Sequence, residues 1–167
     1  MAVANTKSTI ITNSDATPPV PTGSYLNGGL VYEQTAYCTP AAADDNASVY
    51  RFFRLPSNAK VSQILVKHAV VTGMLDTDLG FYQTAANGGA VVDINAFWDA
   101  IDMDAAARNV FTDVTAFPTA GNMEKRLWEL DPAVLTEDPH VQYDICLTAV
   151  TAGSGTAPIA MLIRYTI

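Results

Sequence analysis

The sequence has few of the residues from which most catalytic and metal-binding sites are built. It contains two cysteines and two histidines in 167 residues. Histidine metal sites need closely spaced ligands, and His68 and His140 are far apart. No Gly-x-Ser-x-Gly elbow is present to hold a nucleophile. These observations give no support to an enzyme, so we expect no catalytic residues and no cofactor.

Cysteine is also too scarce for a disulfide scaffold. Cys38 and Cys146 each lie among apolar or strand-forming residues. A pair of cysteines in a chain of this length does not resemble a small secreted domain held by disulfides. We therefore expect two buried thiols that pack as small hydrophobic side chains. The alternative is a disulfide between them.

Charge is scarce and mostly of one sign. Charged residues make up 16% of the chain, below the roughly 25% typical of globular proteins. Nine Lys and Arg against 17 Asp and Glu give a net charge of −8. Because an acidic surface repels phosphate, nucleic acid and anionic membranes are poor candidate partners. The hydrophobic fraction of 49% suggests that partner subunits cover part of the apolar surface.

Long apolar runs are missing as well. No stretch approaches the roughly 20 apolar residues of a membrane-spanning helix. No segment combines a charged start with the apolar run, roughly 7–15 residues long, that an export signal needs. We therefore expect a protein that is not exported by the general secretion route and has no membrane partner.

Alternation of apolar and polar residues is the strongest pattern that is present. It runs over residues 141–150 and again over 159–167, with a loop containing Gly and Pro between them. This pattern predicts a β-hairpin. Residues 25–38 and 48–84 contain further strand-forming runs. Within 60–71 the apolar positions shift, which indicates a bulge.

One stretch favours a helix. Between Asp93 and Arg108 the apolar residues recur at helical spacing, and Asp93 or Asn95 would cap the first turn. A loop is expected over 109–122 and a short strand or helix over 125–130. Strands at this spacing with one short inserted helix predict a mainly-β fold, an antiparallel β-sandwich of the jelly-roll type.

The first 24 residues differ from the rest. Small polar residues and three prolines favour extended backbone there and cannot supply a core. The β-prone patch at 8–12 could add a strand to a neighbouring subunit. We expect an extended N-terminal arm over 1–24 and a β-sandwich domain over 25–167. The expected partner-binding residues are Ser8, Thr9, Ile10, Ile11, Thr12, Pro18, Pro19 and Pro21.

Acidic residues are the main candidates for a metal site. Calcium takes about six to eight oxygen ligands. The acidic segment from residue 93 to residue 104 lacks the glycine and the final glutamate of a calcium loop. Capping of a helix and exposure to solvent are therefore the favoured interpretation. Asp76 and Asp78 also lie close together, but the only nearby aromatic that could stack on a sugar is Tyr82, which disfavours a glycosidase pair. The metal candidates are Asp93, Asp99, Asp102 and Asp104.

Several short motifs over about residues 48–167 resemble a known group of proteins. They are Ser48–Ala59, Asp76–Tyr82, Gly89–Asp93 with Phe97, Leu127–Leu130, Asp138-Pro139 leading to Tyr143–Ile145, and Ile163–Tyr165. These motifs are similar to segments of small structural proteins of tailed bacteriophages, commonly encoded near the major capsid protein. Residues 1–24 show no such similarity.

The resemblance implies a virion protein, most directly a head decoration or cement protein on the capsid exterior, made in the cytoplasm of a bacterial host. Its partners would be the major capsid protein and further copies of itself, as a dimer or trimer. No catalytic residues are implied. A head–tail connector or tail structural protein is the first alternative, with sixfold or twelvefold symmetry at a neck. A carbohydrate-binding module is the second, and it would show a concave face of exposed aromatic side chains.

Overall fold

Eight β-strands make up the fold of residues 6–167, the part of the chain that the computed structural model describes. One short helix, α1 (Thr9–Ser14), precedes the strands, and 3₁₀-helices lie at Ala85–Asn87, Ala120–Glu124 and Leu127–Leu130. The strands are β1 (Val31–Cys38), β2 (Ser48–Pro56), β3 (Lys60–His68), β4 (Asp76–Gln83), β5 (Val91–Trp98), β6 (Arg108–Asp113), β7 (Gln142–Thr151) and β8 (Ile159–Thr166).

The strands form two antiparallel sheets with the connectivity of a jelly roll. Sheet A has the order β1-β8-β3-β6, and sheet B has the order β2-β7-β4-β5. Apart from β4 and β5, consecutive strands lie in opposite sheets. This alternation is the double Greek key of the jelly roll. The predicted fold class, a mainly-β antiparallel sandwich of this type, is therefore confirmed.

The predicted C-terminal hairpin is wrong, although both of its strands exist. β7 pairs with β2 and β4, whereas β8 pairs with β1 and β3. The loop between them crosses from sheet B to sheet A, and the Gly155 N–H donates to the Thr72 carbonyl at 3.0 Å. An alternating pattern specifies which residues face the core, but it does not specify the neighbouring strand.

The predicted helix over Asp93–Arg108 is also wrong. The segment forms β5, an irregular loop and the start of β6. Opposite β4, the β5 register jumps from Trp98 facing Leu79 to Asp93 facing Phe81. The extra residues form a bulge, and this bulge breaks the alternation that would have indicated a strand. The predicted loop over 109–122 is also partly β6, and the segment over 125–130 contains the 3₁₀-helix Leu127–Leu130.

The core lies between the inner faces of the two sheets. Phe81 is fully buried; its ring lies edge-on to Tyr143, with centroids 5.2 Å apart, and 6.2 Å from Phe97. Burial of an aromatic or aliphatic side chain of this size contributes roughly 1.5–3 kcal/mol. The predicted bulge in 60–71 is confirmed by register shifts on both sides of β3, opposite β8 and opposite β6.

Gly80, in the middle of β4, lies directly under the β5 bulge. A Cβ atom built at Gly80 would collide with the carbonyl oxygen of Asp93 and with the backbone of Ile94. Because these atoms belong to the main chain, a rotamer change cannot relieve the collision. The bulge therefore requires glycine at this position.

We expect Gly80→Ala to lower the free energy of unfolding by about 1–3 kcal/mol, because the β5 bulge must move to make room. Urea unfolding followed by tryptophan fluorescence measures this loss. Gly121→Ala is the matched control, since a Cβ there meets open space. Equal stability of the two variants would contradict the assignment.

Candidate interaction surfaces

Two of the four acidic residues considered for metal binding, Asp93 and Asp102, are used in local turns. The Asp102 carboxylate accepts the N–H groups of Asp104 at 2.8 Å and Ala105 at 3.0 Å. Asp93 accepts the N–H of Asn95 at 3.2 Å. Within residues 6–167, no group of three or more His, Cys, Asp or Glu side chains is placed to hold an ion. These carboxylates therefore satisfy backbone donors of turns.

A third metal candidate, Asp99, lies near the Asp78 carboxylate of β4, and so does Asp76. Asp78 on β4 is 7% exposed, and it accepts the N–H of Ala100 at 3.0 Å. Burial raises the pKa of the Asp78 carboxyl, and the neighbouring Asp99 and Asp76 carboxylates raise it further. Ala100 has a positive φ of 60°. Asp78 therefore holds the loop after β5 in place, but at neutral pH its charge is unfavourable.

We expect Asp78→Asn to be more stable than the wild type at pH 7, because the amide oxygen can still accept the Ala100 N–H without the buried charge. A pKa raised on folding means that the carboxyl contributes stability at low pH and loses it as the pH rises. The advantage of the variant should therefore vanish near pH 4 or below. Thermal unfolding from pH 3 to pH 8 tests this, and a variant less stable at every pH would contradict it.

An ion-pair network around one buried carboxylate covers part of the outer face of sheet B. Asp144 on β7 is 4% exposed, and it accepts hydrogen bonds from Arg54 at 2.7 and 3.1 Å and from Arg51 at 3.0 Å. Arg51 also lies over the ring of Tyr82, 5.4 Å from its centroid. Burial alone would raise the pKa of Asp144, but the hydrogen bonds from Arg54 and Arg51 outweigh it and lower the pKa.

We expect Asp144→Ala to cost about 2 kcal/mol at pH 7, because two arginines lose a shared, largely buried acceptor. A lowered pKa means that this contribution is present above the unfolded-state pKa and is lost as the pH falls through the folded-state pKa. The difference from wild type in urea unfolding should therefore shrink below about pH 4. Asp15→Ala removes the exposed pair with Lys7 and should cost far less. Equal losses would contradict this.

The N-terminal segment forms a helix where a strand was predicted. The residues of the β-prone patch lie in or next to α1, which Ser8 caps by accepting the Ile11 N–H at 3.4 Å. Local caps and i→i+4 bonds thus override the β propensity of Thr and Ile. The helix contains no fully buried residue: within the described part of the chain Ile10 is half-buried and Ile11 is exposed.

The arm touches the sandwich at a small number of polar contacts. The Thr9 hydroxyl donates to Glu124 at 2.9 Å. The Val20 N–H returns to the carbonyl of Asn13 at 3.0 Å, so the proline segment folds back on α1. Ile11 and Val20 are 48% and 52% exposed. The predicted partner-binding residues Pro18, Pro19 and Pro21 are exposed as well.

The arm joins the sandwich at Tyr25. The Arg126 guanidinium lies between Tyr25 and Trp128, 4.8 and 5.0 Å from their ring centroids, and it bonds Glu129 at 3.1 and 2.9 Å. The Thr166 hydroxyl of β8 donates to the Tyr25 carbonyl at 2.9 Å. These contacts lie just after residue 24, where the sequence predicts that the arm ends.

A row of polar side chains crosses the outer face of sheet A at one level. Arg164 on β8 donates to Glu33 of β1 and to Gln63 of β3, each at 2.8 Å, and Gln63 donates to Asp113 at the end of β6 at 2.8 Å. Each side chain in the row is hydrogen-bonded to the next, so the row joins all four strands. Asp113 has a lowered pKa: burial acts to raise it, but hydrogen bonds from Gln63 and Thr115 outweigh that effect.

An apolar groove lies at the other end of sheet A. Its volume is about 520 Å³, and Tyr37, Phe111 and Pro158 give it an apolar lining. Tyr37 lies on β1 and Phe111 on β6, so the groove spans the sheet from edge to edge. Sequence reasoning missed these residues because the strand order decides that they line one groove.

Neither cysteine nor histidine forms a reactive site in the described residues. Cys38 and Cys146 are both free thiols, so the disulfide alternative is wrong. Burial raises the pKa of Cys146 to about 12, which leaves it protonated and unreactive. His68 is 2% exposed and bonds the Ala69 carbonyl through Nδ1 at 2.8 Å. Burial lowers the pKa of His68, so this ring is neutral at pH 7.

The fold is similar to that of a chain in a bacteriophage capsid. A chain in the capsid of Ralstonia phage GP4 matches with a TM-score of 0.56 and 11% identity, over 87% of this chain and 88% of that one. A chain in the acid-stable capsid of Helicobacter pylori bacteriophage KHP30 matches with a TM-score of 0.47 and 16% identity, over 83% and 89%. A chain in the capsid asymmetric unit of cyanophage Pam1 matches with a TM-score of 0.49 and 12% identity, over 100% and 99%.

The similarity lies in the fold. No protein-family model matches the sequence, and no curated protein matches it. The GP4 capsid chain shares the arrangement of strands over most of both chains at low identity. The resemblance to phage structural proteins is thereby confirmed at the level of the fold. Within residues 6–167, no helix is long and apolar enough to cross a membrane.

Proposed function

We propose that this protein is a structural component of a bacteriophage virion, a head decoration protein that binds the outer capsid surface and bridges capsomers. The observation that carries the proposal is the jelly roll shared with a chain of the Ralstonia phage GP4 capsid, which covers 87% of this chain. In this role the protein acts by binding other proteins and catalyses no reaction. The scattered, turn-bound acidic residues support that interpretation.

Charge supports a position away from packaged DNA. The net charge is −8, and four of the arginines are already bound to carboxylates. Arg51 and Arg54 bond Asp144, while the other two pairs are Arg126 with Glu129 and Arg164 with Glu33. Guanidinium groups used in this way are less available to phosphate. The outer capsid surface therefore suits this protein better than the interior.

The N-terminal segment supports attachment to a neighbour. It presents Ile11, Val20 and three prolines to solvent, although such residues normally find a covering surface in a stable assembly. Once the sandwich is bound, a tethered segment makes its second contact at a high effective concentration. We assign the arm, residues 1–24, to contact with the major capsid protein or with another subunit.

Position in the particle separates this proposal from its first alternative. A decoration protein occupies threefold or twofold positions in many copies on the capsid, whereas a neck or tail protein follows sixfold or twelvefold symmetry. Cryo-electron microscopy of the purified virion, with the copy number per particle, distinguishes the two. Density confined to the neck or tail would overturn the decoration role.

The carbohydrate-binding alternative makes a different prediction about the groove on sheet A. Tyr37 and Phe111 are the aromatic residues that line it, and Lys67 and Asn109 add polar groups. A glycan array with the purified protein tests this alternative. Glycan binding that is lost in Tyr37→Ala would favour it over the decoration role.

We expect a chain lacking residues 1–24 to remain folded but to bind capsids more weakly, because the tethered contact is gone while the core is intact. Occupancy on particles that lack the protein, measured after mixing and sedimentation, should fall about tenfold or more. Circular dichroism and thermal unfolding check that the truncated domain is folded.

The matched control for this deletion is Val134→Asn, which removes another exposed apolar side chain, 81% accessible, from a loop outside the arm. Asparagine tolerates the positive φ of 51° at this position. The control should bind capsids like the wild type. Unchanged occupancy after deletion of the arm would show that the arm makes no contact with the particle.

A further inference from the structure

The four edge strands of the sandwich differ in how well they are protected. An exposed sheet edge can pair with another chain, and proteins usually block it with bulges, basic residues, proline or short strands. Within residues 6–167 the edges are β1 and β6 in sheet A and β2 and β5 in sheet B. Each edge strand pairs with an inner strand, and we call an edge regular where that pairing has no register shift.

Three of the edges carry such features. The β2 register shifts between Arg51 and Phe53, and the strand contains two arginines and ends at Pro56. The β5 register jumps at its bulge. β6 has six residues and faces a register shift in β3. These irregularities make the three strands poor templates for a further strand.

β1 has none of these features. Its eight residues pair with β8 from Val31 opposite Thr166 to Cys38 opposite Ile159 without a shift. The strand contains no Lys, Arg, Pro or Gly, and its one charge, Glu33, is bonded to Arg164 at 2.8 Å. β2 approaches β1 at the Cys38 end, where Cys38 Sγ lies 3.6 Å from the Arg51 carbonyl. β1 is thus a regular, almost uncharged edge.

The apolar side chains of β1 lie at its two ends. Val31 is 64% exposed and Tyr37 is 75% exposed, and both project from the outer face of sheet A. Leu30, just before the strand, is 75% exposed. When two copies of β1 pair antiparallel, the Val31 end of one copy lies beside the Tyr37 end of the other. The strand therefore complements itself.

We propose that β1 pairs with β1 of a second copy of this chain, antiparallel and about a twofold axis at Gln34, to form one eight-stranded sheet. In this register Val31 faces Tyr37 of the second copy twice, and Glu33 faces Thr35. Cross-strand pairs of aromatic and β-branched side chains stabilise such an interface. Because a twofold interface uses the same surface on both copies, assembly stops at a dimer.

Other alignments of the two β1 strands give less favourable cross-strand pairs. Centring the axis on Glu33 would set two like charges opposite each other. Centring it on Thr35 would place Glu33 against Tyr37 and move Val31 beyond the end of the partner strand. A shift by one residue would set outward-facing side chains opposite inward-facing ones. The pattern of β1 thus selects the Gln34 register.

Sedimentation equilibrium of the purified full-length protein tests the proposal. We expect a dimer, and we expect Val31→Lys and Tyr37→Glu each to raise the dissociation constant about tenfold or more. The double variant Val31→Lys, Tyr37→Glu places opposite charges across the axis twice, so it should recover the dimer at low salt. Val110→Lys is the control, because Val110 is 71% exposed on the other edge of the same sheet.

A wild-type monomer or trimer would overturn the proposal, and so would a dimer that Val31→Lys leaves unchanged. If a monomer binds the major capsid protein and Val31→Lys abolishes that binding, β1 takes a capsid strand and the second copy is not the occupant. Thermal unfolding verifies that each variant is folded. Because the isolated protein is used, failure of the dimer leaves the proposed decoration role to be judged by its own experiment.

Discussion

Burial of one face of each sheet against the other is the constraint on which the whole structure depends. Each sheet keeps two edge strands because the sandwich does not close into a barrel. Burial holds the fold together, but it leaves four rows of backbone groups to be protected or paired. Bulges and basic residues deal with three of these edges. The regular edge of β1 and the exposed arm are the places where we propose that the molecule binds its neighbours.

The chain's few charges are mostly used inside the molecule. Asp144 joins β7 to two arginines of β2, and the row from Glu33 to Asp113 joins all four strands of sheet A. The Asp144 pairs resist sliding of β2 along β7, since a slip would leave the buried Asp144 carboxylate without its partners. Such cross-links would supply the rigidity that the proposed bridging of capsomers requires.

Much of the architecture could be predicted from alternation and turn residues. The alternating positions of β7 and β8 were correctly located, and so was the bulge in β3. The helix over Asp93–Arg108 was wrong because a bulge in a strand and an amphipathic helix both interrupt strict alternation. The strand predicted around Ile10 was wrong because Ser8 caps a helix there. The groove between Tyr37 and Phe111 could not be predicted, since its walls are far apart in the sequence.

The sequence alone determined the class of fold and the residues of β7 and β8 that face the core. These properties follow from composition and from local periodicity, and both can be read from residues that are close together in the sequence. Only the tertiary structure decided that β7 and β8 lie in opposite sheets and that β1 is a regular sheet edge. Strand order depends on how distant segments pack across the core, and alternation is compatible with many such pairings.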